Sequence, residues 1–326
     1  NIDNYFNVYR NSYNDLNEIL QSGSIVTNPD YLNEEGLLSI PTGAESFIRD
    51  VSNNTGGTTG LNEDQAQLVN NIGERKTRLT ENNLIFASNY TYLWNTKKNL
   101  YDQEFTRFRF KIETAGNVLS AVSSLAGFEK NENGNYDVLG VNFSQYIKTE
   151  LDFIKHWDMG QSNILAFRAF GGVAIPYGNA NSIPFVRSFF GGGPNDNRAW
   201  RAYDLGPGSS GGRNEFNEAN MKLAFNMEYR YNLFGSLNSA VFVDVGNIWN
   251  VLDIVEDEDA TFESFSDLKN IAVGSGFGLR YDFNFFVLRF DIGFKTYDPA
   301  QPDDKRWFRN YNFNNAVYNV GINYPF

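Results

Sequence analysis

The chain has 326 residues and a formal net charge of −12, and aromatic side chains make up 16 % of it, among them 29 Phe and 18 Tyr. That acidity argues against nucleic acid as a partner, because phosphate binding needs clustered Lys and Arg. The lack of any cysteine excludes disulfides and thiolate metal sites, and no apolar run of about 18 residues provides a transmembrane helix.

Residues 1–79 carry helical rather than strand spacing in "YNDLNEIL" and "NEDQAQLVNNIGE", separated by the pliable "SNNTGGTTG". The opening "NIDNYFNVYR" has neither the basic start nor the apolar stretch of a signal peptide. With no initiating Met, a processed or partial chain is expected. This region reads as one long external loop with helical pieces, whose first few residues are candidates for the end of an earlier strand.

From residue 80 to 326 the period changes to two, which sends successive side chains to opposite faces of a strand. In "VLRFDIGFKTY", Leu288, Phe290, Ile292 and Phe294 oppose Arg289, Asp291, Gly293 and Lys295. "FTRFRFKIE", "MKLAFNMEYRY" and "NAVYNVGINYPF" alternate in the same way. Nine such segments are expected, at 81–95, 104–115, 139–156, 162–175, 218–232, 238–249, 270–283, 285–297 and 313–326. Most are far longer than the roughly 5–6 residues of an ordinary strand and suit a tilted crossing of a bilayer, which takes about 9–11.

The connections "DMGQ", "NLFGSL" and "DFNF" are short, whereas 116–138, 176–217, 250–269 and 298–312 are long and polar. Short turns on one rim and long loops on the other form the outer-membrane pattern. Tyr92, Trp94, Trp157, Trp249 and Trp307 stand near strand ends, where an interfacial aromatic girdle belongs. The expected class is therefore all-β: a transmembrane antiparallel β-barrel with long external loops. Such barrels have even strand numbers in bacterial single chains, and an open edge in lipid is not tolerated. Nine strands are thus expected to be the C-terminal part of a larger barrel.

The loop at 176–217 holds "GGGPNDNRAWRAYDLGPGSSGG". A guanidinium threaded into a barrel lumen is costly alone and stable when paired with carboxylates. The inward faces of the next two strands offer Glu228 in "NMEYRY" and Asp244 in "FVDVGNIW". Arg201 competes with Arg198 for this role, and the spacing to Gly206-Pro207 favours Arg198.

At these residues the chain resembles the outer-membrane β-barrel assembly superfamily that includes BamA and TamA, whose sixth external loop carries V/I-R-G-F/Y and, later, a small-Pro pair. "NRAW" occupies that place, with Arg198 as the motif arginine, Ala199 for its glycine, Trp200 for its aromatic residue and Gly206-Pro207 as the pair. Asn197 and Ala199 depart from the pattern. "MEYRY" and "FVDVGNIWN" match the family's strands with inward Glu and Asp, and "VYNVGINYPF" its aromatic-terminated signal. The Asn-rich composition is most similar to Bacteroidota members.

The resemblance implies sixteen strands, the nine here being the eighth to sixteenth and 176–217 the sixth loop. It implies a bacterial outer-membrane location and a role in inserting or translocating other outer-membrane proteins. The means it implies is a lateral seam of the barrel rather than catalysis. Gly321 in the final strand allows either weak pairing at that seam or simple barrel curvature, and Tyr324 and Phe326 belong to the seam and the C-terminal signal. Outer-membrane lipid, nascent β-barrel substrates, accessory assembly subunits, and the chain's own upstream strands and periplasmic POTRA domains are the implied partners.

No cofactor, metal or catalytic residue is expected. "GSGFGLR" continues as a strand rather than a phosphate loop, its small residues making room for the inserted loop. "EDEDATFESFSD" lacks the spacing of a calcium loop. His156, the single histidine, supports neither a triad nor a metal site and is read as structural. The alternative classes are a diffusive porin or uptake channel, and an outer-membrane enzyme of phospholipase type, which would need a Ser/His pair near the lipid.

Overall fold

The computed structural model describes residues 5–22, 28–55, 58–80, 82–99, 102–131, 134–211, 217–253, 255, 257–283 and 285–326. The chain divides into two compact units, Asn1–Asn82 and Asn83–Phe326.

The first unit contains helices α1 (Tyr5–Val8), α2 (Arg10–Gln21), α3 (Thr42–Ser52) and α4 (Glu63–Thr80). In α2, Tyr13, Leu16 and Leu20 recur at helical spacing and are buried. They form one core with Phe6, Leu38, Phe47, Val69 and Ile72. The first four residues, candidates for the end of an upstream strand, lie outside the described residues, and Tyr5–Val8 is helical.

One buried phenol gives this unit a pH signature. Tyr31 donates to Asp50 at 2.6 Å, and burial together with Asp50 pushes the phenol up to about 12. The neutral phenol is therefore favoured by folding. Its contribution is complete below pH about 10 and is lost as pH rises from there to about 12. Helical ellipticity under mild denaturant is expected to decline across that window in the wild type and to lose the decline in Tyr31→Phe.

The second unit is built on one antiparallel sheet of nine strands: β1 (Ala87–Asn95), β2 (Phe105–Ala115), β5 (Tyr146–Asp158), β6 (Ile164–Pro176), β7 (Met221–Phe234), β8 (Leu237–Trp249), β9 (Ala272–Asp282), β10 (Val287–Tyr297) and β11 (Val317–Ile322). Each pairs with its successor. Between β2 and β5 lie α5 (Asn117–Leu125) and a two-stranded hairpin of β3 (Asp137–Val138) and β4 (Val141–Asn142). Every alternating segment contains one strand of the sheet, so the chain has the all-β architecture of a transmembrane antiparallel barrel wall. β1 and β11 are its two edges.

The two faces of the sheet invert the usual burial rule. Phe225, Met227, Val241, Val243, Phe277, Leu279, Leu288 and Phe290 are exposed, while Glu228, Asp244, Arg280, Arg289 and Asp291 are buried. A soluble sheet would do the reverse, because large apolar surfaces are hidden from water and charges are not. Among the described residues no helix is long and apolar enough to cross a membrane. The apolar surface suited to lipid lies on the strands.

Three positions differ from the sequence expectation. Trp249 is fully buried, packed 5.7 Å from Phe262 and capped by Gly208, so it belongs to the loop roof instead of an exposed girdle. Tyr92, Trp94, Trp157 and Trp307 are exposed. The segment at 139–156 is interrupted after β4, and its long strand starts at Tyr146. The last strand stops at Ile322, where Asn323 adopts φ 66° and breaks the alternation.

Candidate functional site

The loop joining β6 to β7 is seated against the inward face of the sheet. Gly192 and Gly193, at φ 86° and 101°, turn it in a conformation costly for a side chain. Ala199, Trp200, Leu205 and Ala272 then form a small apolar core at its tip. The seat is cut to fit by missing side chains on the wall. A Cβ at Gly274 would collide with Asn197 and Ala199, and one at Gly293 with the Arg198 carbonyl.

Arg198 lies at the centre and is 1 % exposed. Its Nε and Nη2 donate to the two carboxylate oxygens of Asp244 at 2.8 and 2.9 Å, and its backbone N–H donates to Asp244 at 3.0 Å. The remaining guanidinium nitrogen, Nη1, donates to Glu228. Its guanidinium carbon stands 3.5 Å over the Phe242 ring, adding a desolvated cation–π contact. Planar, forked donation to carboxylates is what arginine offers and lysine does not.

The ion cluster extends beyond the three residues expected from sequence. Glu228 also accepts from Arg230 at 2.7 Å and Arg280 at 3.0 Å. Asp291 pairs with Arg280 at 2.7 Å and Arg289 at 3.3 Å. Arg289 donates to the Pro194 carbonyl and to the Asn195 side chain at 2.8 and 2.6 Å, gripping the loop ahead of Arg198. Asn226 links Asp244 to the Asp196 carbonyl, both at 2.9 Å. Asn226, Arg230, Arg289 and Asp291 were legible only as polar or charged residues sharing a strand face; period two gives the face and not the meeting point.

The loop also reaches the edge strand. Asn319 of β11 donates to the Arg198 carbonyl at 2.9 Å across 121 residues of sequence. Gly321 sits beneath Arg289, whose guanidinium fills the space a Cβ would take. Pro207 bridges to Ile248, and the Gly208 carbonyl accepts from Asn247. Arg201, the competitor, is exposed. Arg201→Ala is accordingly expected to change stability by no more than about 0.5 kcal/mol, as read from the thermal unfolding midpoint in detergent.

The family model of the Omp85 superfamily domain matches residues 6–315. The chain belongs to the Omp85 superfamily. No curated protein matches it by sequence. Among solved structures this Omp85 chain is similar to the crystal structure of BamA from Haemophilus ducreyi lacking POTRA domains 1–3. The likeness has 12 % identity and a TM-score of 0.39, covering 73 % of this chain and 54 % of that one. The Omp85 chain thus spans about half of the length of that relative.

Tyr324 and Phe326 of this Omp85 chain depart from the outward alternation that the sequence extends to residue 326. Beyond the turn at Asn323, the Tyr324 ring lies 4.2 Å from the Arg230 guanidinium and the Phe326 ring 5.6 Å from it. Arg230 also donates to the Phe326 carbonyl at 3.3 Å. The last residues therefore turn back onto β7 and join the charge cluster through Arg230. His156 is buried against Phe105, ring centroids 4.3 Å apart.

Proposed function

We propose that this chain is the C-terminal barrel part of an outer-membrane assembly factor, one that inserts or translocates other outer-membrane proteins without chemistry of its own. Residues 1–79 are its external elaboration, and 80–326 its last nine strands. The observation that carries this reading is the seating of the β6–β7 loop, with Arg198 held by Asp244 and Glu228 in the interior. A freely open lumen would call for neither a fixed arginine in this loop nor a Glu/Asp pair to receive it.

The cluster acts as a lock that holds the barrel wall in its working conformation. Its tie to Asn319 places the edge strand under the same control, because β11 pairs with β10 over only six residues, Leu288–Gly293. Opening of a seam along β11 and local thinning of lipid beside it would give a nascent strand a template edge. Upstream strands, periplasmic POTRA domains and accessory subunits complete the machine, and nascent β-barrels are its substrates.

The test is conductance of the full-length protein in planar bilayers, alongside complementation of a depletion strain. Wild-type protein is expected to show small, intermittent conductance that rises in Arg198→Ala, and the variant is expected to complement poorly. A large, steady pore unaffected by the substitution would identify a diffusive porin instead.

A further inference from the structure

The loop from β10 to β11 has two parts. Its start, at Asp298 to Gln301, lines a small pocket with Trp200 and Leu205 of the inserted loop, whereas its aromatic segment lies on the outward face of the sheet. Phe294, an outward residue near the external end of β10, is only 5 % exposed because this loop covers it. Tyr311 stacks on Phe294 at 4.9 Å and Phe313 meets it edge-on at 5.3 Å. The Tyr311 hydroxyl lies 3.2 Å from Ser275, which also bonds Thr296 at 2.7 Å, pinning the loop to β9 and β10. Between loop and wall runs an apolar groove of about 700 Å³, lined by Val241, Phe277, Phe294, Tyr311 and Phe313. That is the size of small-molecule sites, roughly 300–1,000 Å³.

The segment that leads into the groove's loop wall is aromatic and basic, and Phe308 within it meets Tyr311 at 5.5 Å. Trp307 and Phe308 are 60 % and 58 % exposed, a placement that suits amphipathic or apolar rings at a membrane interface. Lys305 and Arg309 are exposed as well. From Lys305 to Phe326 the sequence contains three cations and no Asp or Glu, in a chain whose net charge is −12. Of the acids just before it, Asp303 is paired with Arg306 at 2.8 Å and Asp298 with Lys295 at 3.5 Å, leaving Asp304 as the local counter-charge.

We infer that this groove is a lipid site that takes one acyl chain of a phosphorylated, multi-acylated glycolipid of the outer leaflet, with the phosphate held by Lys305 and Arg309. The inference rests on the membrane-barrel reading and goes beyond it by assigning a discrete lipid to one place on the wall. The groove opens at the rim from which the long loops project, the rim that faces the outer leaflet. Its walls supply chain contact and the adjoining segment supplies opposite charge, so apolar burial and attraction to an anionic headgroup act on one lipid together. A bound glycolipid would brace the loop that leads into β11.

The test reconstitutes the full-length protein in phosphatidylcholine nanodiscs. Trace diphosphoryl lipid A with a photoreactive acyl chain is added, and cross-linked residues are mapped by mass spectrometry. Cross-links are expected to concentrate on Val241, Phe277, Phe294 and Phe313. Lys305→Gln and Arg309→Gln, both at exposed loop positions, should each lower them roughly fivefold, while Val241→Trp should block the groove and abolish them. A photoreactive phosphatidylcholine should label all outward strands evenly. Even labelling of the wall by lipid A, or labelling indifferent to the two cations, would overturn the site and leave the barrel standing. Absence of labelling on every outward strand would overturn both.

Discussion

Arg198→Ala is expected to destabilise the barrel by about 3–5 kcal/mol, the cost of leaving a buried charge without its partner. The charge left exposed to that cost is Asp244. Glu228 keeps Arg230 and Arg280 when the guanidinium goes, whereas Asp244 keeps only the Asn226 amide and the residue 198 backbone N–H among its hydrogen bonds. Asp244→Ala should therefore cost a similar amount, and Glu228→Gln less. The Arg198→Ala/Asp244→Ala pair should cost clearly less than the sum of its singles, because each substitution alone removes the same contact. Arg198→Lys should rescue little, since an ammonium cannot span Asp244 and Glu228 at once. The measurement is the unfolding midpoint in detergent, with a loss on the order of 5–10 °C expected for Arg198→Ala. An unchanged midpoint, or strict additivity of the pair, would remove the anchor from the account.

The wall was legible in the sequence because its physics is repetitive. A strand that faces lipid on one side and a lumen on the other must alternate, and must do so for longer than a soluble strand. What the alternation left out is what tertiary contact decides. Asn323 carries the period onward in sequence, yet its positive φ ends β11 and turns Tyr324 onto Arg230. Trp249 looked like a girdle residue because strand ends and loop roofs share one sequence position. In the site, Arg198, Glu228 and Asp244 came from spacing and family resemblance, whereas Arg280, Arg289 and Asp291 came only from geometry. The small residues of 274–280 read as room for the inserted loop, and Gly274 is that, but a Cβ at Gly278 would instead occupy the space of the Asp291 carboxylate and the Arg280 guanidinium. The α5 helix and the β3–β4 hairpin had no periodic signal long enough to stand out.

Gly293→Ala is expected to undo the site without altering a single charge. The added methyl would enter the space of the Arg198 carbonyl and the Ala199 amide, both backbone atoms that cannot rotate away. That same carbonyl accepts from Asn319, so retreat of the loop also costs the tie to β11. Overpacking of a rigid interior typically costs about 1–3 kcal/mol. Here displacement of the loop adds the loss of the Asp244 contacts, so the total should approach that of Arg198→Ala. Gly171→Ala on β6 is the matched control: its methyl would meet only the Leu223 side chain at an ordinary 3.6 Å, and should be neutral. Limited proteolysis of folded protein should cut the 191–211 segment quickly in Gly293→Ala and Arg198→Ala, and slowly in the wild type and Gly171→Ala. Because both damaging substitutions unseat one loop, their combination should be scarcely worse than either alone. Full additivity would mean that β10 and the arginine stabilise the barrel separately, and that the glycine is not the floor of the seat.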